Sequence, residues 1–438
     1  MSPSDYLGLH QRYARILGNE KLRATFSRED EIRKELSRLF EGMMQTLYKV
    51  EGSQFRIELL ETPKMQEFIE AHSAALDSGF EQVSMSDVMR RRLQRSNYIF
   101  SGLKTFHELN EAFPSLIDDN GNRKPFEQFL NDVQRIDRTY NQNYLRAEYN
   151  FCQASAGMAA KWEGFMQDGD RYNLQYRTQS DKKVRPEHAA LDRVTLPITD
   201  TFWQEYYPPN GWNCRCTVVQ VRKSKYTETP HDEAMALGEE ATGKDTKGIF
   251  HFNPGIERKT MPDYNPYTIK RCRDCDIAKG KIKLAFVPEN ELCAACQLLH
   301  KCAGDRTKSQ TAIERTHYLH EMKPLIKVRH EKPVDGGSIK VGFSIYGNKH
   351  LFSDTFGRSS VLTKEDLKDL GSILERSTYI GHAELTHERN DNITHFYYYK
   401  AELHGKTIKL NVAKDEEKQP NGKNRIKYYL YSITDINE

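Results

Sequence analysis

The apolar residues in the first half of the chain recur with the period of an α-helix. Between residues 29 and 50 they return every three or four positions, which predicts an amphipathic helix with one buried face. The same spacing predicts a second long helix from about residue 125 to residue 162. A turn-forming run at residues 118–122 separates the two. The pattern therefore predicts a helical N-terminal half.

From about residue 324 the pattern becomes that of one helix followed by strands. Residues 363–376 carry apolar side chains at helical spacing. Three later segments, at residues 394–403, 406–413 and 425–433, are rich in aromatic and β-branched residues and are separated by turn-forming sequences. This order predicts a C-terminal helix packed on an antiparallel sheet.

At 438 residues the chain is too long for one hydrophobic core, so several domains are expected. The sequence predicts a multidomain α+β protein. Its predicted regions are a helical N-terminal region (1–84), an α+β domain rich in aromatics and Pro (85–222), a polar linker (223–264), a cysteine module with a helix (265–322), and the helix-plus-sheet domain (323–438).

Charge and hydropathy narrow the function classes only slightly. The 65 Lys and Arg residues nearly balance the 62 Asp and Glu residues, so overall charge does not indicate a nucleic-acid partner. The sequence contains no run of about 18 apolar residues, so it predicts no membrane-spanning helix. The first residues also lack the basic and apolar regions of a secretory signal.

Cysteine spacing predicts a metal site. Cys272 and Cys275 form one C-x-x-C pair, and Cys293 and Cys296 form another after seventeen intervening residues. This spacing matches structural zinc modules, in which four thiolates close a tetrahedron around the ion. His300 or Cys302 could replace one ligand. The alternative is a set of reduced thiols in a loop, which leaves the paired spacing unexplained.

A second cluster of metal-binding residue types lies in the middle of the chain. Residues 208–216 read PPNGWNCRC, so a tight turn feeds an extended segment in which Cys214 and Cys216 share one face. His188 lies upstream. An imidazole beside two thiolates suits zinc. The alternative is a structural knot of turn, aromatic rings and buried thiols.

The order of these middle motifs resembles a known family. A helix bearing residues 144–150, then Arg185 to His188, then Leu191-Asp192 and PPNGWNCRC, is similar over roughly residues 85–222 to the Mu F-like head morphogenesis proteins. The resemblance implies a minor head protein of a phage or prophage. It implies portal, capsid and scaffold proteins as partners, contact with packaged DNA, and a location in the host cytoplasm during assembly and then in the virion head.

The C-terminal domain resembles the barnase/EndoU/colicin/RelE-like nucleases in its order of elements. The resemblance implies a metal-independent endoribonuclease with RNA as its substrate and an immunity protein as a partner. Such cleavage needs a proton acceptor, a proton donor and a cation at the phosphate. Candidate catalytic residues are His350, Lys349, Arg358 and His395, and candidate base-stacking residues are Tyr397 and Tyr399.

Two function classes follow from these patterns. In the first, the chain is a head protein that carries a toxin-like ribonuclease. In the second, it is a purely structural head protein whose C-terminal domain binds portal, scaffold or DNA without catalysis.

Overall fold

The computed structural model describes residues 26–50, 56–245, 248–263, 265–268, 291–355, 361–385, 392–419 and 424–436. The chain divides into two compact units, Met1–Ser309 and Gln310–Glu438. The predicted boundaries at residues 84/85 and 222/223 therefore fall inside one packed unit. Both units combine helices with strands, so the α+β class is confirmed.

The first unit is built mainly of helices. They are α1 (Phe26–Tyr48), α2 (Pro63–Asp77), α3 (Asp87–Ala112), α4 (Phe126–Asp137), α5 (Leu145–Asp168), α6 (Pro186–Ala189), α7 (Phe202–Glu205), α8 (His231–Thr242), α9 (Pro254–Glu257) and α10 (Glu291–Glu321), whose residues from 310 onward belong to the second unit. Local sequence fixes some helix starts. Pro63 occupies the first turn of α2, and the Ser86 hydroxyl accepts a hydrogen bond from the Met89 N–H to cap α3.

The predicted helix at residues 29–50 is confirmed as α1. Its apolar stripe is almost completely buried against α2, α3 and α4; it comprises Leu36, Leu39, Phe40, Met43, Met44 and Leu47. Burial of such a stripe supplies most of the stability of a surface helix, because isolated helices are marginal in water.

The predicted helix at residues 125–162 is observed as two α-helices joined by a wider turn. A π-helical segment, Arg138–Asn143, separates α4 from α5. The Tyr144 N–H donates to the Thr139 carbonyl, as the i→i+5 pattern requires. The helix then continues to Asp168 and ends at Gly169, whose φ of 60° suits a residue without a β-carbon.

A small antiparallel sheet follows α5. Strand β1 (Tyr172–Arg177) lies between β2 (Thr195–Pro197) and β3 (Thr217–Arg222). A largely aromatic core lies beneath it; its large members are Trp162, Tyr176, Phe202, Trp203, Tyr206 and Tyr207. Residues 171–221 thus contribute both short helices and strands to the region 85–222, which the sequence predicts to be α+β.

The polar segment 223–264 is more ordered than its composition suggests. It contains helices α8 and α9, and its apolar side chains Ala234, Phe250, Phe252 and Met261 are buried in the first unit. A small number of buried apolar side chains is enough to pack this segment against the helices. Residues 223–264, which the sequence predicts to be a linker, thus include helices and buried side chains.

The second unit is one six-stranded sheet with short helices. Its elements are β4 (Arg329–Val334), β5 (Gly337–Gly342), α11 (Ile345–Asp354), α12 (Leu370–Glu375), β6 (Thr378–Glu384), β7 (Ile393–Leu403), β8 (Lys406–Lys418) and β9 (Asn424–Asp435). The strand order is β4-β5-β9-β8-β7-β6, and only the β5–β9 pair is parallel. The three predicted strands are confirmed as β7, β8 and β9, and the helix predicted at residues 363–376 is shortened to a 3₁₀ turn and α12.

Polar contacts fix the ends of the short elements in this unit. The buried Lys332 ammonium on β4 donates to three carbonyls at the end of α12, those of Leu374, Glu375 and Ser377. A cation at that position also complements the helix dipole. In the part of the chain that the structure describes, no helix is long and apolar enough to cross a membrane.

Candidate functional site

The fold brings His188, Cys214 and Cys216 together in the first unit. Short helix α6, which begins at Pro186, holds His188. The two cysteines follow a tight turn that contains the cis Pro208–Pro209 peptide bond, and they lead into β3. His188 and Cys214 are buried and Cys216 is half-buried. The sequence thus predicted that these three residues lie together, although more than twenty residues separate His188 from the cysteines.

The donor atoms of this cluster are close to one another. His188 Nδ1 lies 3.8 Å from Cys214 Sγ and 3.9 Å from Cys216 Sγ. One ligand atom from each residue lies within 4.8 Å of the others, and among the described residues this is the one group of three or more His, Cys, Asp or Glu side chains with that geometry. The arrangement could hold a metal ion.

The two thiols share a hydrogen bond that separates their acidities. The hydrogen bond from Cys216 lowers the pKa of Cys214, with a further lowering by His188, although burial opposes it. The pKa of Cys216 is raised by its contact with Cys214 and by burial. Cys214 is therefore the residue that carries negative charge more readily, which is the form that ligates metals.

Further polar groups surround the sulfur atoms. The Tyr176 hydroxyl is hydrogen-bonded to Cys216, and the backbone N–H of Cys216 donates to Cys214. Asn210 in turn donates to the Tyr176 hydroxyl at 3.3 Å and to the Tyr206 carbonyl at 2.9 Å. These donors would stabilise thiolates and fix their orientation.

Arginine residues brace the turn from outside. Arg185 donates to the Trp212 carbonyl at 2.6 Å, and a β-carbon on Gly211 would lie 2.8 Å from the Arg185 guanidinium. Arg215 makes a bidentate pair with Asp181, with both N···O distances 2.7 Å. The guanidinium of Arg215, which lies between the two cysteines in the sequence, is thus held by an ion pair with Asp181.

A pocket of about 270 Å³ opens beside the cluster. Its lining includes all three of these residues together with polar or basic side chains at Gln179, Lys183, Arg185, Asn213 and Arg215. The pocket gives solvent access to atoms that are otherwise largely buried.

A buried ionic network in the first unit was not predicted from the sequence. The carboxylate of Glu148 on α5 lies 3.2 Å from Lys104 Nζ and 3.0 Å from His72 Nε2, and it accepts a hydrogen bond from Tyr267. The signal in the sequence was a Lys and a Glu inside helices rich in apolar residues. Pairing of the two could not be inferred, because they are 44 residues apart.

The predicted cysteine zinc module lies mostly outside the described residues. Cys272 and Cys275 fall there, as does the side chain of Cys293. Cys293 and Cys296 lie in α10, so the second C-x-x-C pair is helical and does not form a separate knuckle turn. Cys302 is buried in the helical core, and burial raises its pKa, which disfavours its use as a substitute ligand.

The predicted nuclease residues of the second unit are on different surfaces. His350 and the exposed Lys349 lie on α11, whereas Arg358 falls outside the described residues. The His350 ring lies 4.2 Å from the ring of Tyr431, which itself contacts Phe396. His395 is the neighbour of Phe396 on β7, so it lies on the opposite face of the sheet. The structure therefore does not bring His350 and His395 together.

The face that carries His395 has an ordered row of polar side chains. Glu384, His395, Lys414 and Tyr428 are consecutive cross-strand partners on β6, β7, β8 and β9, and His395 Nε2 lies 3.0 Å from Glu384 Oε1. Lys414 was missed from the sequence because its position opposite His395 depends on strand register.

The two tyrosines proposed for base stacking have different environments. Tyr397 is half-buried, and its ring stacks on that of His382 with centroids 5.7 Å apart. Tyr399 is fully buried, and its hydroxyl donates to the Pro333 carbonyl at 3.0 Å. Tyr397 is therefore partly exposed on this face, whereas Tyr399 is a core residue.

Comparison with known proteins identifies the class of the middle segment. Residues 118–219 match the family model described as Phage Mu protein F like protein. That segment runs from the turn before α4 to β3 and includes the His188, Cys214 and Cys216 cluster. The chain therefore contains a Phage Mu F-like segment, as the sequence motifs predict.

Two curated proteins are similar over this part of the chain. One is "Putative capsid assembly protein F" of Escherichia phage Mu, 36% identical over 114 residues, which are 26% of this chain and 24% of that protein. The other is the Mu-like prophage FluMu F protein of Haemophilus influenzae, 29% identical over 136 residues, or 29% of each chain. The similarity thus spans 24% and 29% of the lengths of these two relatives. No solved structure gave a significant match.

Proposed function

We propose that this chain is a minor head protein that acts in capsid assembly of a phage or prophage. The match of residues 118–219 to the Mu F-like family carries the proposal, together with the name of the phage Mu relative as a capsid assembly protein. Assembly would place the chain in the host cytoplasm and then in the virion head. Its partners would be capsid and scaffold proteins and the portal, with packaged DNA as a further contact.

The packing of the matched segment supports a role for the whole first unit. Its helix α5 buries Phe151 and Cys152 in a core shared with Leu76, Phe100 and Phe250, which all lie outside residues 118–219. Isolating residues 118–219 would expose part of this shared core to water. We therefore assign the interaction with head proteins to the first unit as a whole.

The assembly proposal is tested by deletion in the phage or prophage that encodes the chain. Loss of the gene should reduce the yield of DNA-filled heads, and a plasmid copy should restore it. The full chain should also co-purify with the portal protein of the same genome. Normal portal-containing heads assembled without this chain would contradict an assembly role.

A surface substitution sharpens the portal test. Met166 lies within the matched segment and is 59% exposed, whereas Ile426 on β9 is 47% exposed and lies in the second unit. Large exposed apolar side chains are candidates for interface positions. Met166→Asp should weaken portal binding more than the matched control Ile426→Asp. Equal effects would remove this surface from the proposed contact.

A second candidate function is RNA cleavage by the second unit. The cross-strand row of Glu384, His395, Lys414 and Tyr428 favours it, because it places a carboxylate, an imidazole, a cation and a phenol about 5 Å apart on one face. An imidazole suits proton transfer and an ammonium suits a phosphate. A toxin-like ribonuclease would need an immunity protein. The alternative is a non-catalytic domain that binds portal, scaffold or DNA.

A further inference from the structure

We propose that His188, Cys214 and Cys216 bind one zinc-class cation through Nδ1 and the two Sγ atoms. The proposal concerns a metal site within the Mu F-like segment and is independent of the assembly role. Zinc prefers imidazole and thiolate donors, and these three residues supply one imidazole nitrogen and two sulfur atoms.

The distances fit a tetrahedral ion closely. Zn–S bonds of about 2.3 Å and Zn–N bonds of about 2.0 Å place the nitrogen and sulfur of a tetrahedral site roughly 3.5 Å apart. The observed Nδ1···Sγ distances are 3.8 and 3.9 Å. A contraction of a few tenths of an ångström would bring each Nδ1···Sγ pair to that separation, and all three donor atoms lie within 4.8 Å of one another.

Charge and hydrogen bonding also favour a dication. Two thiolates neutralise one Zn²⁺, so the buried cluster carries no net charge when the ion is bound. Tyr176 and the backbone N–H of Cys216 supply donors to the two sulfur atoms. Such outer donors fix the ligands of metal centres and are arranged here by the Asn210 contact with Tyr176.

The fourth coordination position opens to solvent. All three ligand residues border the 270 Å³ pocket, whose other walls include the basic side chains of Lys183, Arg185 and Arg215. Water fits this position, and the basic lining makes it accessible to small anions. The site therefore has three protein ligands and one exchangeable ligand.

Metal binding would brace the segment. The ion joins α6 to the residues after the cis Pro208–Pro209 turn, which are 26 and 28 positions away. A metal that binds the folded state and not the unfolded chain stabilises folding by its binding free energy. Removing zinc from this site should lower the melting temperature of the first unit.

The zinc content of the full chain provides the first test. Protein purified from zinc-supplemented cells and dialysed against metal-free buffer is analysed for zinc per chain. We expect His188→Gln and Cys216→Ser each to lose one zinc per chain relative to the unsubstituted protein. Cys152→Ser is the matched control, because Cys152 is also buried in the first unit but hydrogen-bonds to Leu76 and Asn97. Equal zinc content in all four proteins would overturn the proposal.

A second test leaves the site intact, so it does not depend on the folding of those variants. In a Cys272→Ser, Cys275→Ser background, the chain is loaded with Co²⁺ and its absorption is recorded. Thiolate-to-cobalt charge-transfer bands should remain, with the strong visible bands of tetrahedral cobalt. Added azide should shift those visible bands if the fourth ligand exchanges. Absence of the charge-transfer bands would overturn the metal site, and bands insensitive to azide would overturn the exchangeable ligand.

Discussion

Lys104 Nζ lies 3.2 Å from Glu148 Oε2 in the interior of the first unit, and neither side chain is more than 3% exposed. Burial alone would raise the pKa of Glu148, but Lys104 and His72 together lower it to about 2. Glu148 is therefore ionised inside the core, where its charge depends on its partners. Because Glu148 lies on α5 and Lys104 on α3, the pair ties the Mu F-like segment to the N-terminal helices.

Removing the charge of Glu148 should destabilise the first unit. Glu148→Gln leaves the Lys104 ammonium buried without its counter-ion, which typically costs about 3–5 kcal/mol. The free energy of unfolding from urea denaturation at pH 7 measures this loss. Glu41→Gln on the exposed side of α1 is the control and should change stability by less than about 0.5 kcal/mol. Matching unfolding midpoints for the two variants would contradict the role of the pair.

The lowered pKa of Glu148 predicts that the stability of the first unit depends on pH in the acidic range. The folded pKa is lowered to about 2, below the unfolded value of about 4.3. Its stabilising contribution is therefore complete above pH 4.3 and is lost as the pH falls toward 2. The free energy of unfolding is measured between pH 5 and pH 2. As the pH falls, it should decrease more steeply for the unsubstituted protein than for Glu148→Gln. Parallel stability curves would argue against this linkage.

Glu108 should act in the opposite direction. Burial raises its pKa to about 8, although Lys104 opposes the shift. A folded pKa above the unfolded value means that stability is highest below about pH 4.3 and decreases as the pH rises toward 8. The cost of burying this group reaches roughly 4 kcal/mol at pH 7, from about 1.4 kcal/mol per pH unit above the unfolded pKa. Glu108→Gln should therefore unfold at higher urea than the unsubstituted protein at pH 8, and the gap should narrow at pH 5.

The elements that the sequence predicted share a strong local signal. Helix α1 has an unbroken apolar stripe, and β7 and β8 are separated by the turn at His404-Gly405, where both residues have positive φ. Such patterns need no long-range information. Strands β4, β5 and β6 were missed because they are short and mostly exposed, so they lack the apolar alternation that marks a half-buried strand.

The candidate sites were predictable to different depths for the same reason. Spacing indicated that Cys214 and Cys216 share a face, and chemistry suggested His188 as a companion. Register decided the rest: Lys414 faces His395 only because β7 and β8 pair as they do. Tyr397 and Tyr399 lie two positions apart on the same face of β7. Packing nevertheless buries Tyr399 completely and leaves Tyr397 half-buried.

A close approach in the first unit predicts a sensitive glycine. A β-carbon on Gly255 in α9 would lie 2.2 Å from the Trp162 β-carbon, which no rotamer change can relieve. Gly255→Ala should therefore lower the melting temperature by several degrees, because overpacking costs about 1–3 kcal/mol. Gly164→Ala is the control: it lies in α5 with nothing within 4 Å, so the added methyl should stabilise the helix slightly. A neutral Gly255→Ala would mean that α9 is not packed on Trp162.

The cysteine module gives a metal prediction distinct from the His188 site. Four thiolates from Cys272, Cys275, Cys293 and Cys296 would hold one structural zinc with no open position. Cys275→Ser should remove about one zinc per chain and lower the melting temperature. The zinc lost by Cys275→Ser and by Cys216→Ser should add in the double variant. A Cys275→Ser protein with unchanged zinc and melting temperature would contradict the module.

The second unit should cleave RNA without a metal if the ribonuclease proposal is right. The full chain is incubated with total RNA and with tRNA, with and without chelator, and the products are examined for cyclic phosphate ends. His395 and His350 lie on opposite faces of the sheet, so their alanine variants test the two faces separately.

Loss of a proton-transfer group should slow cleavage by about 10² to 10⁴. Loss with His395→Ala and with Lys414→Ala identifies the cross-strand row as the site, whereas loss with His350→Ala identifies the α11 surface. A smaller loss with Arg358→Lys would indicate that this arginine contacts the phosphate. His404→Gln is the matched control, because that ring pairs with Asp366 and belongs to neither candidate surface. Intact RNA in every reaction, together with normal growth of cells that express the chain, would favour the non-catalytic binding domain.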